Sequence, residues 1–181
     1  MKATGIVRRI DDLGRVVIPK EIRRTMRIRE GDPLEIYTDR EGEVIFKKYS
    51  PIGELTTFAS QYAETLYKTC GFPVAICDRD AVIACAGLPK KEFLEKRLSG
   101  DLENIMENRS LFVAGSTPVR VTEDGGEDYH VSCAMPILTE GDITGCVAAV
   151  AAQNGENGIS PDAEQKLVQT AAIFLGKQLE Q

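Results

Sequence analysis

The chain has 181 residues, 43% of them apolar and 28% charged, and a net charge of −6, the balance of an ordinary globular protein. No run approaches the roughly 18 consecutive apolar residues of a membrane span. The opening MKATGIVRRIDDLGR has no apolar core of a secretory signal, so the expected compartment is the cytoplasm. Five cysteines (Cys70, Cys77, Cys85, Cys133, Cys146) are an odd number without a Cys-x-x-Cys pair. That argues against both a disulfide framework and a zinc site, and no metal is expected.

The acidic total hides a break in charge. Residues 1–50 hold 12 Lys and Arg against 9 Asp and Glu, whereas the remainder hold 10 against 19. Within residues 1–29 nine bases face three acids. Such a break predicts two modules with different partners, divided near residue 50: a domain over 1–50 and a second over 51–181.

In chain order, residues 4–10 carry β-branched side chains and end at the turn signal Asp11-Asp12-Leu13-Gly14; Arg15–Ile18 resumes as a strand. Pro19 suits the first turn of a helix running through Met26, with Ile22 and Met26 on one face and Lys20, Arg23, Arg24 and Arg27 on the other. Strands over 33–38 and 43–48 flank the hairpin turn at 39–42. The first module therefore reads ββαββ, with Ile6, Val7, Ile10, Val16, Val17, Ile18, Ile36, Val44 and Ile45 as its core. Fifty such residues bury little surface and leave strand edges open, so pairing with a second copy is expected.

Ser50-Pro51 opens a helix reaching about Cys70, with Ile52, Leu55, Phe58, Tyr62 and Leu66 spaced by three or four. Strands follow at 72–78 and 81–86, then helix over 89–108 interrupted at Ser99-Gly100. Three further strands are expected at 117–122, 129–138 and 143–153, a polar loop at 154–158, and a final helix capped by Ser160 and running to Leu179. The apolar face of that helix is wider than one sheet contact requires. Antiparallel strands with helices around them make the second module α+β.

The run Thr4–Pro19 followed by Glu21-Ile22-Arg23-Arg24 closely resembles the AbrB-type DNA-binding module of bacterial transition-state regulators. The resemblance implies a swapped-hairpin β-barrel dimer in which both chains contribute strands to one barrel. The layout of residues 51–181, with Ile76-Cys77-Asp78-Arg79-Asp80 and the Ala171–Leu179 tail, is similar to the GAF-type sensor fold joined to this module in sporulation regulators. That likeness implies activation and repression of late, forespore-stage genes. Carried over position by position, the DNA-contacting arginines fall on Arg8, Arg15, Arg23 and Arg24, with Arg9 a further base. Some family members have an apolar residue where this chain has Lys20.

Guanidinium groups suit phosphates because they stay charged and bind bidentately. Without a recognition helix of polar side chains or an aromatic platform, the expected partner is double-stranded DNA read through groove shape. A dimer neutralising roughly eight phosphates would show a log–log salt slope of about −7.

No catalytic residue is expected: His130 stands alone, and the strand cysteines read as core. A GAF-type fold implies a pocket for an unidentified small-molecule effector, assigned to Ile76, Cys85, Cys133, Met135 and Cys146; no other cofactor is expected. The last helix with that of residues 52–68 would join two dimers into a tetramer. Two other readings compete. Similar swapped barrels serve as antitoxins, although those use a short disordered tail for their toxin. A thiol enzyme would need an exposed cysteine of low pKa.

Overall fold

The computed structural model describes residues 4–152, 155 and 157–180. The chain divides into two compact units, Met1–Tyr49 and Ser50–Gln181.

In the first unit, α1 (Lys20–Met26) starts after the buried Pro19 and ends where Arg27 turns left-handed, its N–H returning to the Arg24 carbonyl. Strands β1 (Leu34–Thr38) and β2 (Val44–Lys48) pair antiparallel from Leu34↔Lys48 to Thr38↔Val44. Their turn is organised by Asp39, whose Oδ1 accepts the N–H groups of Glu41 and Glu43 at 3.0 and 2.9 Å. Lys48 Nζ donates to the Arg27 carbonyl at 3.0 Å and lies 3.5 Å from Asp32, tying the helix end to the hairpin.

Residues 4–10 and 15–18 do not form the two strands expected of them. A strand exists only against a ladder partner, and among the described residues of this unit β1–β2 is the only ladder. The expected core is correspondingly absent from a single chain. Val7 is 88% exposed, Ile10 72% and Val17 71%; Ile36 and Val44 are also exposed, and Ile18 and Ile45 are half-buried. An isolated two-stranded hairpin is marginal in water, so this unit on its own lacks the burial a stable domain needs.

The second unit is built on a five-stranded antiparallel sheet of order β4-β3-β7-β6-β5. Helix α2 (Pro51–Glu54), capped by the Ser50 hydroxyl, is separated from α3 (Thr56–Cys70) at Leu55, where one continuous helix was expected. The Thr56 hydroxyl donates to the Gly53 carbonyl at this break. Strands β3 (Val74–Cys77) and β4 (Val82–Ala86) form a hairpin, followed by α4 (Lys90–Phe93) and α5 (Gly100–Glu107). The long strands β6 (Tyr129–Thr139) and β7 (Asp142–Ala152) form the centre, and α6 (Pro161–Leu179) closes the unit. The expected strand end at Gln153, and Asn154 and Glu156 of the expected polar loop, lie outside the described residues.

One strand was misplaced. Residues 117–122 are irregular, joined to the rest by the Leu98↔Thr122 bridge and the Val131 N–H to the Val119 carbonyl. Pro118 cannot donate to a ladder, and the fifth strand is instead β5 (Phe112–Val113), paired with Cys133 and Ala134.

Side-chain alternation gives the sheet two apolar faces. Ala75, Cys77, Cys85, Cys146, Ala148 and Val150 meet Phe93, Leu98, Leu102 and Met106 on one. Val74, Ile76, Cys133, Ile137, Val147 and Ala149 meet Ala59, Ala63, Val168, Ala171 and Leu175 on the other. Because both faces are covered, β7 is buried from Ile143 to Ala151, and from Gly145 to Ala151 it holds no polar side chain. No helix among the described residues is long and apolar enough to cross a membrane.

Candidate nucleic-acid interface

The five arginines lie on three segments of the first unit, and all are exposed. Arg8 and Arg9 sit in the irregular stretch before the turn, Arg15 closes the turn, and Arg23 and Arg24 lie in the last turn of α1.

The turn is built around Asp11. Its Oδ1 accepts the N–H groups of Leu13 and Arg15 at 3.0 and 2.7 Å, an Asx-type turn. Its own N–H donates to the Arg15 carbonyl at 3.0 Å, and its carbonyl receives the Gly14 N–H at 3.1 Å. Gly14 takes φ +76°, a conformation costly for any side chain with a Cβ. Oδ2 pairs with Arg15 Nε at 2.8 Å although the arginine side chain is 70% exposed. The backbone N–H of Arg15, followed by its guanidinium, holds the Asp11 carboxyl below its usual range. The motif Asp11-Asp12-Leu13-Gly14 signalled a turn; the spacing that aims a carboxylate at Arg15 was not drawn from it.

The residues assigned to an effector pocket are divided by the sheet. Cys85 and Cys146 face α4 and α5, whereas Ile76, Cys133 and Met135 face α3 and α6. Met135 alone of the five borders an open depression of about 250 Å³, with Pro136, Leu138, Ala172, Ile173, Lys177 and Glu180.

Three of the buried cysteines have thiols held in the protonated form. A hydrogen bond with Cys146 and then burial push the Cys77 thiol up, and burial does the same for Cys85. Cys133 is pushed up to about 12, first by burial and then by the Glu164 carboxylate, whose Oε1 lies 3.6 Å from its sulfur. Glu164, buried in the first turn of α6, also accepts from the Ser132 hydroxyl and the Asn157 amide. No sequence signal marked it, since a glutamate after a helix cap ordinarily faces water. Among the described residues no cluster of three His, Cys, Asp or Glu could hold a metal ion.

Comparison with known proteins follows the same division into two units. Residues 7–53 match the model "Antidote-toxin recognition MazE, bacterial antitoxin", and residues 54–180 match "Stage V sporulation protein T C-terminal, transcription factor". The chain is 52% identical to stage V sporulation protein T of Bacillus subtilis (strain 168), with all of both chains covered. It is also 65% identical over 51 residues to the transition state regulatory protein AbrB of that organism, covering 28% of this chain and 52% of AbrB. The fold of the second unit is that of the GAF domain from a phosphoenolpyruvate-protein phosphotransferase of Coxiella burnetii. The TM-score is 0.54 at 19% identity, over 69% of this chain and 82% of that one. An AbrB-type module followed by a GAF-like α+β domain is thus the architecture, and the chain belongs to the stage V sporulation protein T family of transcription factors.

Proposed function

We propose that residues 1–50 form, with a second copy, one barrel whose basic face binds duplex DNA through Arg8, Arg9, Arg15, Arg23 and Arg24. The observation that carries this reading is the coincidence, in one small unit, of exposed arginines with exposed core-type residues such as Val7 and Val17. Covering the apolar side chains requires another strand layer, and a symmetric dimer doubles the arginines in the same step. Phosphate contact then supplies affinity, and groove shape supplies preference. Residues 51–181 are assigned to assembly into a tetramer and to effector response. The 250 Å³ depression and the exposed Ile173 and Phe174 of α6 suit assembly. An effector would contact the Cys85/Cys146 side or the Cys133/Met135 side of the sheet, not both.

The regulator acts in the cytoplasm, on late forespore genes, as activator at some sites and repressor at others. A salt series on duplex DNA tests the reading: the native protein gives a steep slope that flattens in Arg23→Ala/Arg24→Ala while assembly is unchanged. Tight binding indifferent to the substitution moves the site elsewhere. No binding at low salt favours a second reading, a toxin-neutralising protein, which the antitoxin model over residues 7–53 supports. Against it stands the folded second unit where such proteins carry a short tail.

A further inference from the structure

We infer that Asp11 is a positioning residue for DNA binding: it fixes the direction of Arg15, at a cost in raw electrostatic attraction. The inference rests on the DNA reading above and deepens it.

An acid on a surface meant for phosphates is unfavourable by charge alone, yet this one makes four hydrogen bonds within its own turn and one to the guanidinium. The two carboxylate oxygens divide the work. Oδ1 holds the backbone N–H groups of Leu13 and Arg15, which shapes the turn; Oδ2 holds Arg15 Nε. The arginine is therefore restrained at its backbone and at the base of its guanidinium by the same residue.

A free arginine loses much rotamer freedom on docking, and a pre-set one loses less. Pairing through Nε uses one of five N–H donors and leaves those of both terminal nitrogens for a phosphate, the bidentate geometry that carries direction as well as charge. Lys and Arg elsewhere in the module can supply undirected attraction. The turn at Asp11 instead gives Arg15 one preferred line of approach, which is what reading groove shape requires.

Charge and position predict opposite signs for one substitution. Asp11→Asn keeps an oxygen for the turn backbone but presents an amide N–H to Arg15 Nε–H, donor against donor, so the arginine is released. It also removes a negative charge from each chain. If charge alone mattered, affinity for any duplex would rise. If Asp11 positions Arg15, affinity for a duplex selected by the native protein from a random pool falls about fivefold, part of the rotamer freedom that an unpinned arginine must give up. Binding to a mixed-sequence duplex holds or tightens, so the ratio between the two collapses.

The experiment is a double-mutant cycle on the full chain, reading both duplexes at one salt concentration for the native protein, Asp11→Asn, Arg15→Ala and the pair. The expected result is that Asp11→Asn weakens the selected duplex in the native background and has no such effect once Arg15 is alanine. Equal weakening in both backgrounds makes Asp11 a turn-former only and overturns the inference, as does tightening on both duplexes. A readout without DNA guards against a misfolded variant: the Arg15 Nε–H resonance is shifted and slow to exchange in the native protein and loses both features in Asp11→Asn. Its absence in the native protein also overturns the inference. Failure of the DNA reading itself is seen separately, in a native protein that binds neither duplex or an Arg15→Ala variant that binds both as well as native.

Discussion

Gly176 of α6 lies against the Leu138 carbonyl so closely that a Cβ at that position would stand 2.3 Å from the oxygen. Neither partner is a flexible side-chain tip: helix backbone meets strand backbone where α6 crosses the end of β6. Gly176→Ala improves helix propensity by about 1 kcal/mol. The clash forces α6 off the sheet, which costs about 1–3 kcal/mol in overpacking. The expected outcome is net destabilisation, a fall in the midpoint of thermal unfolding of the second unit by a few degrees. An unchanged or raised midpoint would show that α6 slides without penalty.

The outer surface of α6 carries the assembly prediction. Phe174 stacks on Tyr62 with ring centroids 5.7 Å apart and lies 6.0 Å from Phe58, while Ile173 beside it is 55% exposed. Placing charge there, as Ile173→Glu/Phe174→Glu, reduces the proposed tetramer to a dimer held by the N-terminal modules. Light scattering on the eluted species reads the mass directly, and a persistent tetramer places the interface off α6.

Much of the second unit could be read from spacing because its physics is local. Ser160-Pro161 caps α6, the period of Val168, Ala171, Ala172 and Leu175 faces it inward, and Thr139–Asp142 turns β6 into β7. What escaped depended on partners distant in sequence. Val119 and Val121 alternate like a strand and are buried like one, but Pro118 and the loop geometry leave them outside any ladder. Two-residue β5 is too short to leave a periodic signal. In the first unit the strand pattern of residues 4–18 was plain, yet among the described residues it meets no ladder partner. The arginines were marked by residue type and resemblance; the carboxylate that orients one of them was marked only by an Asx spacing.

Val7 and Val17 supply the matching prediction for the barrel. Burying each valine contributes about 1.5–3 kcal/mol relative to leaving it in water, counted twice in a symmetric pair. Val17→Asp therefore separates the N-terminal modules and leaves a dimer joined through α3 and α6. Combined with Ile173→Glu/Phe174→Glu it gives a monomer. Sedimentation of the three variants distinguishes the interfaces, and a Val17→Asp protein that remains tetrameric would refute pairing through this face.

The thiols predict how stability depends on alkaline pH. Cys133 has an ordinary value of 9.0 when unfolded and is pushed up to about 12 in the native chain, by burial first and the Glu164 carboxylate second. Between those values the folded state holds a proton that the unfolded state has released, so stability falls as pH rises. Below about pH 9 both states are protonated and the thiol contributes no slope. Cys77 shifts in the same direction and adds to the effect. Denaturant midpoints should hold steady from pH 7 to 8.5 and then decline, with a shallower decline in Cys133→Ala. Substituting Glu164→Ala gives a different signature. It leaves the Ser132 hydroxyl and Asn157 amide without their acceptor, costing about 1–3 kcal/mol at neutral pH, and removes part of what raises the Cys133 thiol. A Glu164→Ala midpoint equal to native at pH 7 would mean that water satisfies those donors and that the carboxylate is not what holds α6 to β6.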